Sequence, residues 1–158
     1  MFGRASGGNY IHLFRFGGKQ PCDLRNREEF SIFNFQKNLK NRNSKPHIIT
    51  TKIEHPSVLE PIKQLEKEGF GVTYLQVNKE GFINLEEFKN ALRPETILVS
   101  VMYANNEIGT IEPVNKIGKI IKEFNKKLEI ENRKLKIDGT RHVLFHVDAC
   151  QAAGYLNI

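Results

Sequence analysis

Asn106, Asp148 and Gln151 are the side chains of this sequence whose types and spacing best suit chemistry. An ionised carboxylate accepts hydrogen bonds only, whereas an amide both donates and accepts, so the three together can bind and orient a polar ligand. Each follows a short apolar run. Thr96-Ile97-Leu98-Val99-Ser100-Val101-Met102 leads into Asn105-Asn106-Glu107-Ile108-Gly109, and Val143-Leu144-Phe145-His146-Val147 leads into Asp148-Ala149-Cys150-Gln151. The runs are rich in β-branched and aromatic residues, the composition of strands covered on both faces in a parallel sheet. Ligands of open α/β sheets bind beyond the carboxyl ends of the strands, so these polar groups are expected to converge on one crevice. The plainer alternatives are an Asp that caps the following turn and amides that belong to ordinary turns.

Those strands need elements around them, and from His47 onward the chain alternates in the α/β manner. His47-Ile48-Ile49-Thr50-Thr51 reads as a strand leading into Glu54-His55-Pro56-Ser57, where Pro56 and Ser57 suit a helix start. Val58, Leu59, Ile62 and Leu65 recur at helical spacing until Gly69 ends the element, and Pro61 falls early enough to be tolerated. Gly71 to Val77 reads as a strand, and Asn84-Leu85-Glu86-Glu87 opens a helix to about Leu92. After the Asn105–Gly109 loop, Val114, Ile117, Ile120, Ile121 and Phe124 form the apolar stripe of another helix. Residues 126–141 are charged and turn-rich, and are expected to form a surface insertion before the last strand.

Length and charge bound the rest. A chain of 158 residues builds one core. No apolar run reaches the roughly 18 residues that cross a bilayer, and the amino terminus has no signal-peptide pattern, so a soluble, cytoplasmic protein without a membrane partner is expected. Cys22 and Cys150 fit neither a disulfide framework nor a metal site. The net charge of +6 is confined to residues 1–46, which carry nine Lys/Arg against three Asp/Glu, while the remainder carries fifteen of each. No stacking platform or groove-reading helix accompanies that excess, which argues against a nucleic-acid partner.

Four ordered motifs resemble the cysteine desulfurases, pyridoxal-phosphate enzymes of the class V aminotransferase superfamily. They are His47-Ile-Ile-Thr-Thr-Lys-Ile-Glu-His55-Pro-Ser-Val-Leu, Glu68-Gly-Phe-Gly-Val-Thr-Tyr-Leu, Thr96-Ile-Leu-Val-Ser-Val-Met-Tyr-Ala-Asn-Asn-Glu-Ile-Gly109-Thr-Ile-Glu-Pro and His146-Val-Asp-Ala-Cys-Gln-Ala-Ala-Gly154. The resemblance implies a mostly parallel α/β sheet flanked by helices, part of the large domain of a fold-type I pyridoxal-phosphate enzyme. It implies that Asp148 faces the pyridine nitrogen, that His55 stacks on the cofactor ring and helps move protons, that Gln151 bonds the phenolic oxygen, and that Asn106 touches cofactor and substrate. Cofactor-binding residues are then His55, Asn106, Asp148 and Gln151, with His55 also catalytic and no metal. Glu107, Ile108 and Gly109 shape the loop, and Cys150 is expected to be a small packing residue.

The resemblance also implies the reaction of the intact family: L-cysteine becomes L-alanine, and sulfur passes to an enzyme persulfide and on to a sulfur-acceptor protein for iron–sulfur cluster assembly or tRNA thiolation, in a homodimer. The sequence contains no Ser-Gly-His-Lys stretch bearing the Schiff-base lysine and no later sulfur-accepting cysteine. A fragment inactive by itself is therefore expected. The rivals are a fragment of another class V enzyme, such as a selenocysteine lyase or an aminotransferase, and a non-catalytic truncated product. The upstream phosphate-holding motif of the family is absent, yet synonymous codons for Tyr10 to Leu24 can encode Ser-Gly-Ser-Glu-Ala-Asn-Asn-Leu-Ala-Ile once one nucleotide is skipped. Residues 1–33 are thus expected to be a frameshifted, non-native or disordered segment, and 34–158 a partial cofactor-binding large domain.

Overall fold

The computed structural model describes residues 13–14, 45–135, 142–153 and 155–156. The expected boundary near residue 33 lies outside them. Five strands form one sheet in the order β1-β5-β4-β2-β3, where β1 is Leu13–Phe14, β2 His47–Thr51, β3 Gly71–Leu75, β4 Thr96–Met102 and β5 Leu144–Asp148. Strands β2 to β5 run parallel, and β1 pairs antiparallel with β5 through Leu13↔His146 and Phe14↔Phe145. The expected α/β class is the observed one.

Helices cover both faces of the sheet, as its nearly continuous apolar strands require. Helix α1 (Pro56–Lys67) starts at the His55 cap and gives way to Gly69, whose φ of +99° suits glycine. Its Ile62 packs with Ile48, Phe70 and Ile97 on one face. On the other face lie α2 (Leu85–Ala91) and α3 (Val114–Lys134), whose Phe88, Ile117 and Ile121 pack against Ile49, Val99, Val101, Phe145 and Val147. Asn84 caps α2 by accepting from the amides of Glu86 and Glu87. A helix this short depends on its anchor, and the fully buried Phe88 contributes about 2–3 kcal/mol of burial.

One expectation changes here. Residues 126–134, read as turn-rich, continue α3, because buried Leu128 extends the Ile117–Ile121 stripe by two more turns while the charged residues occupy the outer face. Asn125 then ties the helix to the start of β5: its Oδ1 accepts from Val143 N (2.8 Å) and its Nδ2 donates to Val143 O (3.1 Å).

Candidate functional site

Because β2, β4 and β5 are parallel neighbours, their carboxyl ends share one edge. Thr50 is in register with Ser100, and Met102 with Asp148. His55 follows β2, Asn106 follows β4, and Asp148 ends β5 with Gln151 just beyond. The four expected site residues therefore stand on that edge of the sheet. Asp148 is half-buried, whereas His55, Asn106 and Gln151 are exposed, the last two in turns. A hollow of about 350 Å³ lies to one side, lined by Gln76, Asn78, Phe82, Asn84 and Glu87, and includes none of the four.

His55 is both a cap and an open ring. Its Nδ1 accepts from Ser57 N at 3.2 Å and lies 2.8 Å from Ser57 Oγ. With Nδ1 accepting from the backbone amide, the proton of the neutral imidazole sits on Nε2. Asp148 is fixed from both sides: its backbone O accepts from Tyr103 N (2.8 Å), and its Oδ1 accepts from Cys150 N (3.0 Å). Cys150 is exposed, contrary to the packing role expected of it, because the turn after β5 carries it out of the sheet. A hydrogen bond from the thiol itself to the Asp148 carboxylate, reinforced by partial burial, raises its pKa and so lowers the share of reactive thiolate.

Beneath these open groups lies a buried layer that the sequence reading passed over. Glu54, only 4% exposed, directs Oε1 to two donors, Thr51 Oγ1 at 2.8 Å and Met102 N at 2.7 Å, while its Oε2 has no partner among the described residues. Burial pushes its carboxyl up to about 7, against the two hydrogen bonds and with some help from the negative charges of Asp148 and Glu112. Asn105 is buried as well. Its Nδ2 donates to Ile53 O (2.9 Å), and its Oδ1 accepts from Glu107 N (2.8 Å) and Ile108 N (3.0 Å). Glu112 receives Ile83 N on Oε2 at 3.3 Å, has no partner on Oε1 among the described residues, and is also shifted upward by burial. The only sequence signal for Glu54 and Asn105 was adjacency: each immediately precedes a residue chosen for chemistry.

The loop around Asn106 closes on itself, with Asn105 N donating to Thr110 O (2.9 Å) and Gly109 N to Asn105 O (3.0 Å). Gly109 adopts a φ of +71°, a left-handed conformation that glycine allows and other residues resist. Among the described residues no cluster of His, Cys, Asp and Glu could hold a metal ion.

Comparison with known proteins bears on this arrangement. The family described as aminotransferase class-V matches residues 28–130. A cysteine desulfurase IscS of Clostridium botulinum (strain Hall) is 51% identical over 118 residues, covering 75% of this chain and 25% of that protein. One from Dictyoglomus turgidum is 46% identical over 112 residues, covering 71% and 24%. Among solved structures, a NifS-like protein superposes with a TM-score of 0.58 at 39% identity, covering 75% of this chain and 28% of that one. SspA in complex with cysteine gives a TM-score of 0.52 at 39% identity, covering 57% and 25%. The chain spans about a quarter of the length of the curated relatives it matches.

Proposed function

The chain belongs to the aminotransferase class-V family, and from that premise we propose that it is the ring-holding part of a cysteine desulfurase. One observation carries the proposal: an imidazole, a carboxylate and two amides stand on the carboxyl edge of three adjacent parallel strands, within a chain that is 51% identical over 118 residues to a cysteine desulfurase. That edge is where open α/β sheets bind their ligands.

The donor set fits pyridoxal 5'-phosphate, a flat ring with a basic nitrogen on one side and a phenolic oxygen on another. Asp148 would hold the proton on the ring nitrogen, and its backbone and Oδ1 contacts keep its carboxyl group oriented. Gln151 would bond the phenolic oxygen and Asn106 would touch ring and substrate, their exposure leaving both amides available. His55 would lie against the ring, with Nε2 carrying the proton it can exchange. When bound, the cofactor supplies an electron-withdrawing ring conjugated to the substrate carbon.

L-Cysteine is the proposed substrate, a choice supported by the solved relative SspA in complex with cysteine. The reaction breaks the carbon–sulfur bond, hands sulfur to an acceptor thiol as a persulfide and leaves L-alanine; the acceptor would serve iron–sulfur assembly or tRNA thiolation. The test is a transplant of residues 47–156 into the matching stretch of the Clostridium botulinum relative. The chimera is expected to retain cofactor and form alanine from cysteine. A folded chimera that binds cofactor but forms no alanine would overturn the assignment.

A further inference from the structure

We infer that Glu54 and Asn105 form a reciprocal clasp that positions His55 and Asn106, each loop lending one buried side chain to the backbone of the other. From the β2–α1 turn, Glu54 reaches across to Met102 N at the end of β4; from the β4–α3 loop, Asn105 reaches back to Ile53 O in the β2–α1 turn. Each clasp residue is the immediate neighbour of an exposed site residue, so holding Glu54 holds the backbone of His55, and holding Asn105 holds that of Asn106. Both are nearly buried, at 4% and 8% exposure, and a third bond from Thr51 Oγ1 secures Glu54 on its own strand. Surface turns without such ties move on fast timescales, and a site built on two loops needs them fixed relative to one another.

The proposal extends the cofactor reading and rests on it only for what the clasp is for. Glu54 and Asn105 are positioning residues; neither is asked to touch the ring. The carboxyl of Glu54 works through a single accepting oxygen, Oε1, which a glutamine amide reproduces without charge. Glu54→Gln should therefore preserve the clasp, while Glu54→Ala and Asn105→Ala should open it.

The test uses the full 158-residue chain and begins without cofactor. Amide exchange at Met102 should accelerate roughly tenfold or more in Glu54→Ala, the scale set by losing a hydrogen bond to a carboxyl group, and stay near the parent rate in Glu54→Gln. Backbone order parameters of His55 and Asn106 should fall in both alanine variants and recover in Glu54→Gln, while the amides of Thr73 and Leu75 in β3 report that the fold is intact. Unchanged Met102 exchange in the alanine variant, or loosening that glutamine fails to rescue, would overturn the clasp.

Pyridoxal 5'-phosphate is then titrated by fluorescence into the transplanted enzyme carrying residues 47–156 of this chain. Glu54→Ala should weaken binding several-fold, and its effect in a His55→Ala background should be smaller than in the parent, because part of the clasp acts through His55. Full additivity would overturn the positioning role. A transplanted parent enzyme that binds no cofactor, while the 158-residue chain loosens at His55 and Asn106 and is rescued by glutamine, would sink the cofactor reading and leave the clasp standing.

Discussion

The two edges of the parallel sheet bury polar groups in opposite ways. At the amino edge, fully buried His47 sits 2.8 Å from Thr96 Oγ1 through Nδ1 and 2.8 Å from Thr73 Oγ1 through Nε2, so one ring joins β3, β2 and β4 with both nitrogens matched. Burial, aided by the Arg93 guanidinium and opposed by Glu95, pushes its pKa down to about 4. At the carboxyl edge, Thr50 Oγ1, Glu54 Oε2 and Glu112 Oε1 are buried without partners among the described residues. Buried polar atoms are nearly always paired, and exceptions in a native fold gather where strain or chemistry is kept. The amino edge is a finished joint, whereas the carboxyl edge retains unused bonding capacity beside the exposed residues proposed to hold a ring.

The largest effect that could break this contrast lies at Asp148. In the transplanted enzyme, Asp148→Ala is expected to lower alanine formation roughly 100-fold or more, the scale of removing one electrostatic partner from a reacting group, with a much smaller loss of cofactor retention. Asp148→Asn should be nearly as harmful, since an amide cannot balance a protonated nitrogen. Near-normal turnover in the alanine variant would reduce Asp148 to the acceptor for Cys150 N.

Removing His47 addresses the other edge. His47→Ala leaves the two threonine hydroxyls without their ring and opens a void, costing about 3 kcal/mol in urea unfolding, with no change in pyridoxal 5'-phosphate affinity at the opposite edge. A marked loss of affinity would show that the edges are not independent. Linkage sharpens the same point. From pH 6.5 down to about 4 the unfolded chain takes up a His47 proton that the native state refuses, so this stability is full above 6.5 and lost as pH falls. Glu54 runs the other way: between 4.5 and about 7 the native state keeps a proton that the unfolded chain has released, so its contribution is full below 4.5 and lost as pH rises. The two slopes oppose each other in the parent. Glu54→Gln removes one of them, so between pH 4.5 and 6.5 the stability of the variant should rise relative to the parent by about 2 kcal/mol. Parallel curves for parent and variant would refute the assignment of the slopes.

The smallest expected effect is at the Asn106 loop. Gly109→Ala meets no neighbour within 4 Å but must hold a φ of +71°, so thermal unfolding should register a loss of about 1 kcal/mol from backbone strain alone. No loss would mean that the loop relaxes out of that conformation.

Local chemistry explains what could be read in the sequence. Strand β4 has the expected limits because Thr96 to Met102 is one uninterrupted run, and α1 begins where Pro56 fixes its first turn. Pattern also placed the carboxyl edge, since parallel strands put all their exits on one side. The end of α3 was misread because Lys126, Lys127, Glu129 and Glu131 hid a single buried Leu128. The inward turn of Glu54 and Asn105 was not legible, because a charged or amide residue beside a turn looks the same whether it faces solvent or a backbone 48 or 52 residues away. Only tertiary contact distinguishes the two.

Those two separations have a further meaning. Both clasp bonds close almost the same loop of chain, and the difference in closure entropy between loops of 48 and 52 residues is under ~0.1 kcal/mol. Once either bond has formed, the other forms at the high effective concentration of a tethered partner, as the second arm of a bivalent ligand does. The two bonds should therefore break and re-form as one event, and the edge of the sheet that carries His55 and Asn106 behaves as a single unit with one opening equilibrium.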